Sequence, residues 1–398
     1  MDPVPTAPSR EPGPRDPAEP LRAWLVEHED ELVALTARLA RMESPSAEPE
    51  AQEPLFELLA EELSALGFRC RRIRGRATGG CLYARPALRS RGAPAQLLLG
   101  HADTVWPRGT LGRMPVVASE GRLTGPGVYD MKGGLAQGLF ALRALAALDI
   151  APTLTPVVLV NGDEEIGSPE STRWVRRVAR AVERVLVLEP SLGPEGRAKT
   201  ARKAVGRFTL RVAGRASHAG LDPEAGVSAI AELADLVRRL HALADPERGV
   251  TVNVGRVEGG LGPNVVAPEA TAWMETRVLT REDAARVEAA IRGLAPERAG
   301  ARIEVEGGFA KRPLERTPRN AALFEAAVRC ADRLGFALGE GTAGGASDGN
   351  TTSLHAATLD GLGAVGGHAH AAGEFLWTEK LVERAALLAL LLLEPGTR

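Results

Sequence analysis

Five stretches of the chain place histidine and carboxylate side chains where they could hold a divalent cation. The first is His101-Ala102-Asp103, directly after an apolar run. Imidazole is a good zinc ligand, and a nearby carboxylate such as Asp103 can engage its second ring nitrogen and fix the tautomer. Taken alone, the triplet reads more simply as a polar loop. The second is Gly125-Pro126-Gly127-Val128-Tyr129-Asp130-Met131-Lys132-Gly133-Gly134. Its glycines allow close backbone approach around one acid, so Asp130 could bridge two cations or simply cap a helix. The third is Gly162-Asp163-Glu164-Glu165-Ile166-Gly167-Ser168. Neighbouring side chains point in different directions, so one glutamate could bind a metal while the other reaches its water; an exposed acidic turn reads the same way. The fourth is Glu189, at the end of another apolar run, and the fifth is the glycine-rich loop Gly366-Gly367-His368-Ala369-His370-Ala371-Ala372-Gly373-Glu374, with two histidines.

Such groups need elements to hold them. Short apolar runs at 96–99, 156–160 and 185–188 are separated by helix-like segments at 132–149 and 169–183. This alternation predicts buried strands of an α/β sheet. Each run leads straight into His101, Glu164-Glu165 or Glu189, and open α/β sheets carry their chemistry beyond the carboxyl ends of their strands. Upstream, Leu21, Leu25, Leu32, Leu35 and Leu39 recur at helical spacing from about residue 21, and a second helix from about Pro54 ends at Gly67. From about 205 the pattern changes: strands at 207–213, 251–257, 270–279 and 301–306, with helices at 226–243 and 281–294. That strand–helix–strand–strand–helix–strand order is a split βαβ pattern, fit for a module inserted at 205–312 into a larger domain made of 21–204 and 313–398. A helix at 319–335 and a final one at 379–393 close the chain. The proline-rich segment 1–20 holds almost no large apolar side chains and is expected to be disordered.

Composition excludes several classes. The chain has 398 residues, 44% hydrophobic and 25% charged, with a formal net charge of −2. That balance does not call for nucleic acid or a membrane surface as partner. Three cysteines without framework spacing argue against a disulfide scaffold, and no signal peptide is visible, so a cytoplasmic location is expected. The stretch 385–393 is too short to span a bilayer.

In order, His101-x-Asp103, Gly-x-x-Asp130-Met-Lys-Gly-Gly, Glu164-Glu165-x-Gly, Glu189-Pro, Gly-Arg-Ala-Ser-His218-Ala-Gly and Gly-Gly-x-x-His370 resemble the M20 metallopeptidase family over nearly all the chain after residue 20. The glutamate carboxypeptidase-like branch is the nearest in appearance; acetylornithine deacetylases, succinyl-diaminopimelate desuccinylases and aminoacylases are its relatives. The resemblance implies a zinc-peptidase-like fold: a mixed central α/β sheet with helices on both faces, and an inserted ferredoxin-like α+β lid that also dimerises. It implies two divalent metals per subunit, zinc first, with cobalt or manganese as substitutes. Asp130 would bridge them, His101 and Glu189 would complete one site, and Glu165 and His370 the other. His370 is preferred to His368 because Glu374 follows it by four residues, as in the family's loops. Glu164 would be the general base towards metal-activated water, with Asp103 supporting His101. His218 would stabilise the oxyanion across a homodimer interface, and Asn264, Arg277 and Arg312 would meet the substrate. Glu275 stands where the family commonly has Asp before that first arginine, and the loop Ser347-Asp348-Gly349-Asn350 would line the pocket. The implied activity is cleavage of the amide next to a C-terminal amino acid, glutamate among the candidates; an N-acyl-amino-acid deacylase is the alternative. A non-catalytic binding protein on the same scaffold would have lost the base or a ligand, and none is lost.

Overall fold

The computed structural model describes residues 16–90 and 92–396. The strand Ala95–His101 is buried along its whole length, as its continuous apolar run requires. It pairs in parallel with Thr155–Asn161 on one side and Arg184–Val187 on the other, and the latter pairs in parallel with Ala357–Leu359. An antiparallel hairpin, Phe68–Ile73 and Cys81–Pro86, extends the Thr155–Asn161 edge. The result is a six-stranded mixed sheet. Its four parallel strands end at one edge, and the register pairs His101 with Asn161. The loops carrying His101, Glu164-Glu165 and Glu189 therefore leave the sheet side by side.

Alternation along the strands sorts the core. Leu98, Val158, Val160 and Leu186 pack on one face with the helices Glu53–Ala65, Gly133–Ala147 and Thr378–Leu393. Leu97, Leu99, Val157, Leu159, Val185 and Val187 pack on the other with Val175 of the helix Thr172–Ala179. The helix Gly133–Ala147 approaches through its glycines: a Cβ on Gly134 would run into the Leu188 carbonyl oxygen, one residue before Glu189.

A second, four-stranded sheet runs in the order Thr251–Gly259, Glu269–Val278, Ala204–Ala213, Arg302–Phe309, all antiparallel. The helices Ala229–His241 and Arg281–Arg292 cover it, and its two apolar clusters draw only on residues 204–309. The connectivity is strand–helix–strand–strand–helix–strand, the ferredoxin-like arrangement.

Two differences from expectation stand at the start of the chain. Of the segment 1–20, residues 1–15 lie outside the described residues, and the helix already begins at Ala18. Pro17 and Pro20 do not prevent this, because first-turn N–H groups have no partner inside a helix. The leucine-spaced stretch is two helices, Ala18–Glu27 and Glu29–Ala40, broken at His28, whose ring stacks on Trp24 and bonds its carbonyl oxygen at 2.8 Å.

Candidate active site

At the carboxyl edge of the large sheet, Asp130 lies between two histidines. Its Oδ1 is 3.2 Å from His101 Nε2, and its Oδ2 is 3.4 Å from His370 Nε2. Each histidine has a second carboxylate: Glu189 at 3.5 Å from His101 Nε2, and Glu165 at 3.1 Å from His370 Nε2. Glu164 joins His101 and Glu189 in one compact group of ligand atoms. His368 is turned away, its ring edge-on to Phe375.

Behind His101, Glu189 and the loops that carry Asp130, Glu164 and Glu165 stand further polar groups. His101 Nδ1 sits 2.9 Å from the Asp103 carbonyl oxygen and 3.5 Å from its carboxylate, which assigns the proton to Nδ1 and leaves Nε2 facing Asp130. The buried Asp103 carboxylate does a second job. It accepts the backbone N–H groups of Glu164 and Glu165, both at 3.1 Å, and the Ser46 hydroxyl at 2.6 Å. Glu374 is the matching clamp on the other loop. Its buried carboxylate accepts the N–H groups of Gly127, Tyr129 and Asp130 at 2.9–3.0 Å and the Trp106 indole N–H at 2.8 Å. The Asp130–Met131 peptide in that loop is cis. Glu189 accepts from Arg202 at 2.8 Å, and Arg202 also bonds Asp360 at 2.9 Å.

The electrostatics suit a cation. Burial pushes Glu164 up to about 8, with Lys311 opposing and Glu189 adding to the rise. Burial likewise pushes Glu165 up to about 7, against its hydrogen bond to His370. His370 is raised to about 10 by its bonds to Asp130 and Glu165. Burial works against charge on His101, yet its bonds to Asp103, Asp130 and Glu189 raise it well above the usual imidazole range. Crowded carboxylates that hold positive charge this tightly, together with two imidazoles, are the donor set of a divalent-metal centre once a cation displaces the ring protons.

A cavity of about 550 Å³ opens over this group, lined by Glu164, Glu165, His370, Arg207, Arg277 and Lys311. Arg277 bonds Glu275 at 2.8 Å and the Gly344 carbonyl oxygen at 2.9 Å. Arg312 is not in the lining; its guanidinium lies 3.9 Å from Glu288 of the second module. The inward place belongs to the preceding residue, Lys311, which neither composition nor periodicity singles out. Asp348 is buried behind it. His218 and Asn264 are both exposed and adjoin each other on the second module, outside the lining, where Ala219 N–H donates to the Asn264 carbonyl oxygen at 3.0 Å.

Comparison with known proteins places the chain in a family. Carboxypeptidase G2 of Pseudomonas sp. (strain RS-16) is 30% identical over 248 residues, which cover 62% of this chain and 59% of that protein. N-acetyl-L-citrulline deacetylase of Xanthomonas campestris pv. campestris is 29% identical over 273 residues, 66% of this chain and 69% of that one. Aminopeptidase PepT from Bacillus cereus shares the fold with a TM-score of 0.75 at 22% identity, over 92% of this chain and 98% of that chain. An M20 family metallo-carboxypeptidase from Sulfolobus solfataricus gives a TM-score of 0.69 at 18% identity, over 92% and 99%. The chain belongs to peptidase family M20/M25/M40, whose model matches residues 97–394 and so takes in every residue of the cluster.

Proposed function

We propose that the chain is a metal-dependent amide hydrolase of carboxypeptidase type, cleaving the bond next to a C-terminal amino acid. The observation that carries this is Asp130, whose two oxygens address two histidines, each with a further carboxylate beside it. His101, Asp130 and Glu189 would hold one divalent ion and Glu165, Asp130 and His370 a second, zinc first, with cobalt or manganese as substitutes. Ions held there would lower the pKa of water and stabilise negative charge on the amide oxygen. Glu164, grouped with His101 and Glu189 and lining the cavity with Glu165 and His370, takes the proton of the attacking water and returns it to the departing amine. Asp103 keeps Glu164 and Glu165 at their posts through the backbone. Arg277, at the cavity wall, suits the substrate's free carboxylate through its planar guanidinium.

His218 is read as acting on a partner subunit. Its Nδ1 accepts from the N–H groups of Gly220 and Leu221 at 3.1 and 3.2 Å, so its proton sits on Nε2, ready to donate to an oxyanion. Because it lies outside the lining of its own cavity, a homodimer through the second module is the arrangement that brings it to a site, with Asn264 alongside. Free thiols at Cys70, Cys81 and Cys330 support a reducing cytoplasmic setting, and no helix among the described residues is long and apolar enough to cross a membrane.

The second reading, an N-acyl-amino-acid deacylase, is favoured by the names of relatives such as N-acetyl-L-citrulline deacetylase and acetylornithine deacetylase. A panel of dipeptides and N-acyl amino acids, assayed with added zinc or cobalt, separates the two. Turnover of peptides bearing a free C-terminal amino acid is expected. Turnover confined to N-acyl amino acids would move the assignment to the deacylase, and none on either class would sink both.

A further inference from the structure

The cavity contains one buried cation that the hydrolytic scheme leaves unused. Lys311, only 8% exposed, lies two residues beyond the strand Arg302–Phe309, on the segment that returns the chain from the second module. Its Nζ donates to Asp348 Oδ1 at 2.8 Å, Ser168 Oγ at 3.0 Å and Glu164 Oε1 at 3.2 Å. An ammonium has three protons, so these bonds use all of them. The first two partners are themselves fixed. Ser168 donates to Asp348 Oδ1 at 2.6 Å, Asn161 donates to Asp348 Oδ2, and Asp348 opens the helix Asp348–Thr352. Ser168 follows Gly167, and both residues have positive φ, 58° and 91°, which turns the chain sharply back after Glu164-Glu165-Ile166. Burial works against the charge on Lys311, but Asp348 and Glu164 more than restore it. Stability alone would ask that all three protons find partners; what sets Lys311 apart is that one of those partners is Glu164, at the cavity wall. A lysine kept for the substrate's carboxylate would have a proton to spare.

We propose that Lys311 is a positioning residue for the base, holding one carboxylate oxygen of Glu164 so that the other is presented to the reacting water. Because it is carried on the exit from the second module, it also ties the base's orientation to the seating of that module. This rests on the reading of Glu164 as base, so the test includes a variant of Glu164 itself.

The experiment compares Lys311→Met, Lys311→Arg and Glu164→Gln with the parent enzyme, each brought to full metal content. Lys311→Met leaves Asp348 buried without its cation, so Lys311→Met with Asp348→Asn is made alongside, with neither charge left alone. Glu164→Gln is expected to lower kcat by about 10²–10⁴-fold. Lys311→Met and the double variant are expected to lower kcat by about 100-fold, with KM and metal content unchanged and a larger solvent deuterium isotope effect on kcat. Lys311→Arg should recover part of the loss, since it keeps the charge and the donors. In the Glu164→Gln background, Lys311→Met should cost nothing further. Unchanged kcat in Lys311→Met overturns the proposal while leaving the base intact. A risen KM with kcat retained overturns it in favour of a substrate contact. A loss of equal size with and without Glu164, and with no change in isotope effect, overturns it in favour of general destabilisation. Near-normal kcat in metal-replete Glu164→Gln removes the base itself.

Discussion

Two buried carboxylates bind no ion in this reading, yet each fixes a loop that does. Asp103 gathers the N–H groups of Glu164 and Glu165, and Glu374 gathers those of Gly127, Tyr129 and Asp130. A carboxylate accepts on both oxygens, whereas a carboxamide turns one of them into a donor facing N–H groups. Glu374→Gln is therefore expected to weaken metal binding by about 10–100-fold and to lower Tm, although Glu374 is no ligand. Competition with a chromophoric chelator reads this out; unchanged affinity would mean that Asp130 holds its place without the clamp. The sequence gives Glu374 away only as an acid four residues past His370. It does not reveal that Asp103 serves the Glu164-Glu165 backbone as well as His101, because that contact joins residues more than sixty positions apart in the chain.

Among the strands and helices, most of what positions the cluster was legible. Apolar runs bounded by polar turns mark Ala95–His101, Thr155–Asn161 and Arg184–Val187, and being parallel neighbours they deliver their following residues to one edge. The break at His28 was not legible, since the leucine spacing continues on both sides and only the Trp24–His28 contact interrupts it. That Lys311 rather than Arg312 lines the cavity is equally hard to read ahead, because nothing local to Lys311-Arg312-Pro313 says which of two neighbouring cations turns inward. The glycine pair after Lys132 has a packing reason as well as a loop reason. Gly134→Val would push the helix Gly133–Ala147 off Leu188 and disturb Glu189. A loss of about 1–3 kcal/mol from overpacking is expected, seen as a lower denaturation midpoint, together with weaker metal retention. A variant as stable as the parent would show that this helix has room to shift.

The homodimer proposed above rests on the placement of His218, exposed on the second module and absent from the lining of its own cavity. His218→Ala is expected to keep its metal and lose most of its kcat. Mixed and exchanged with Glu164→Gln, it should regain part of the activity, because a mixed dimer then contains one site with both residues intact. A heterodimer that stays inactive would place His218 outside the reaction, or within its own subunit's site. Beneath all of this lies the bridging role proposed for Asp130, and elemental analysis of purified protein after metal loading and desalting addresses it. The parent chain should hold two divalent ions. Asp130→Ala, which removes the one side chain shared by both ligand sets, should hold close to none and melt at a lower temperature, because an ion bound only to the folded state stabilises it. Two ions retained in Asp130→Ala would contradict the bridge, and a parent chain that is fully active after exhaustive chelation would contradict the metal centre altogether.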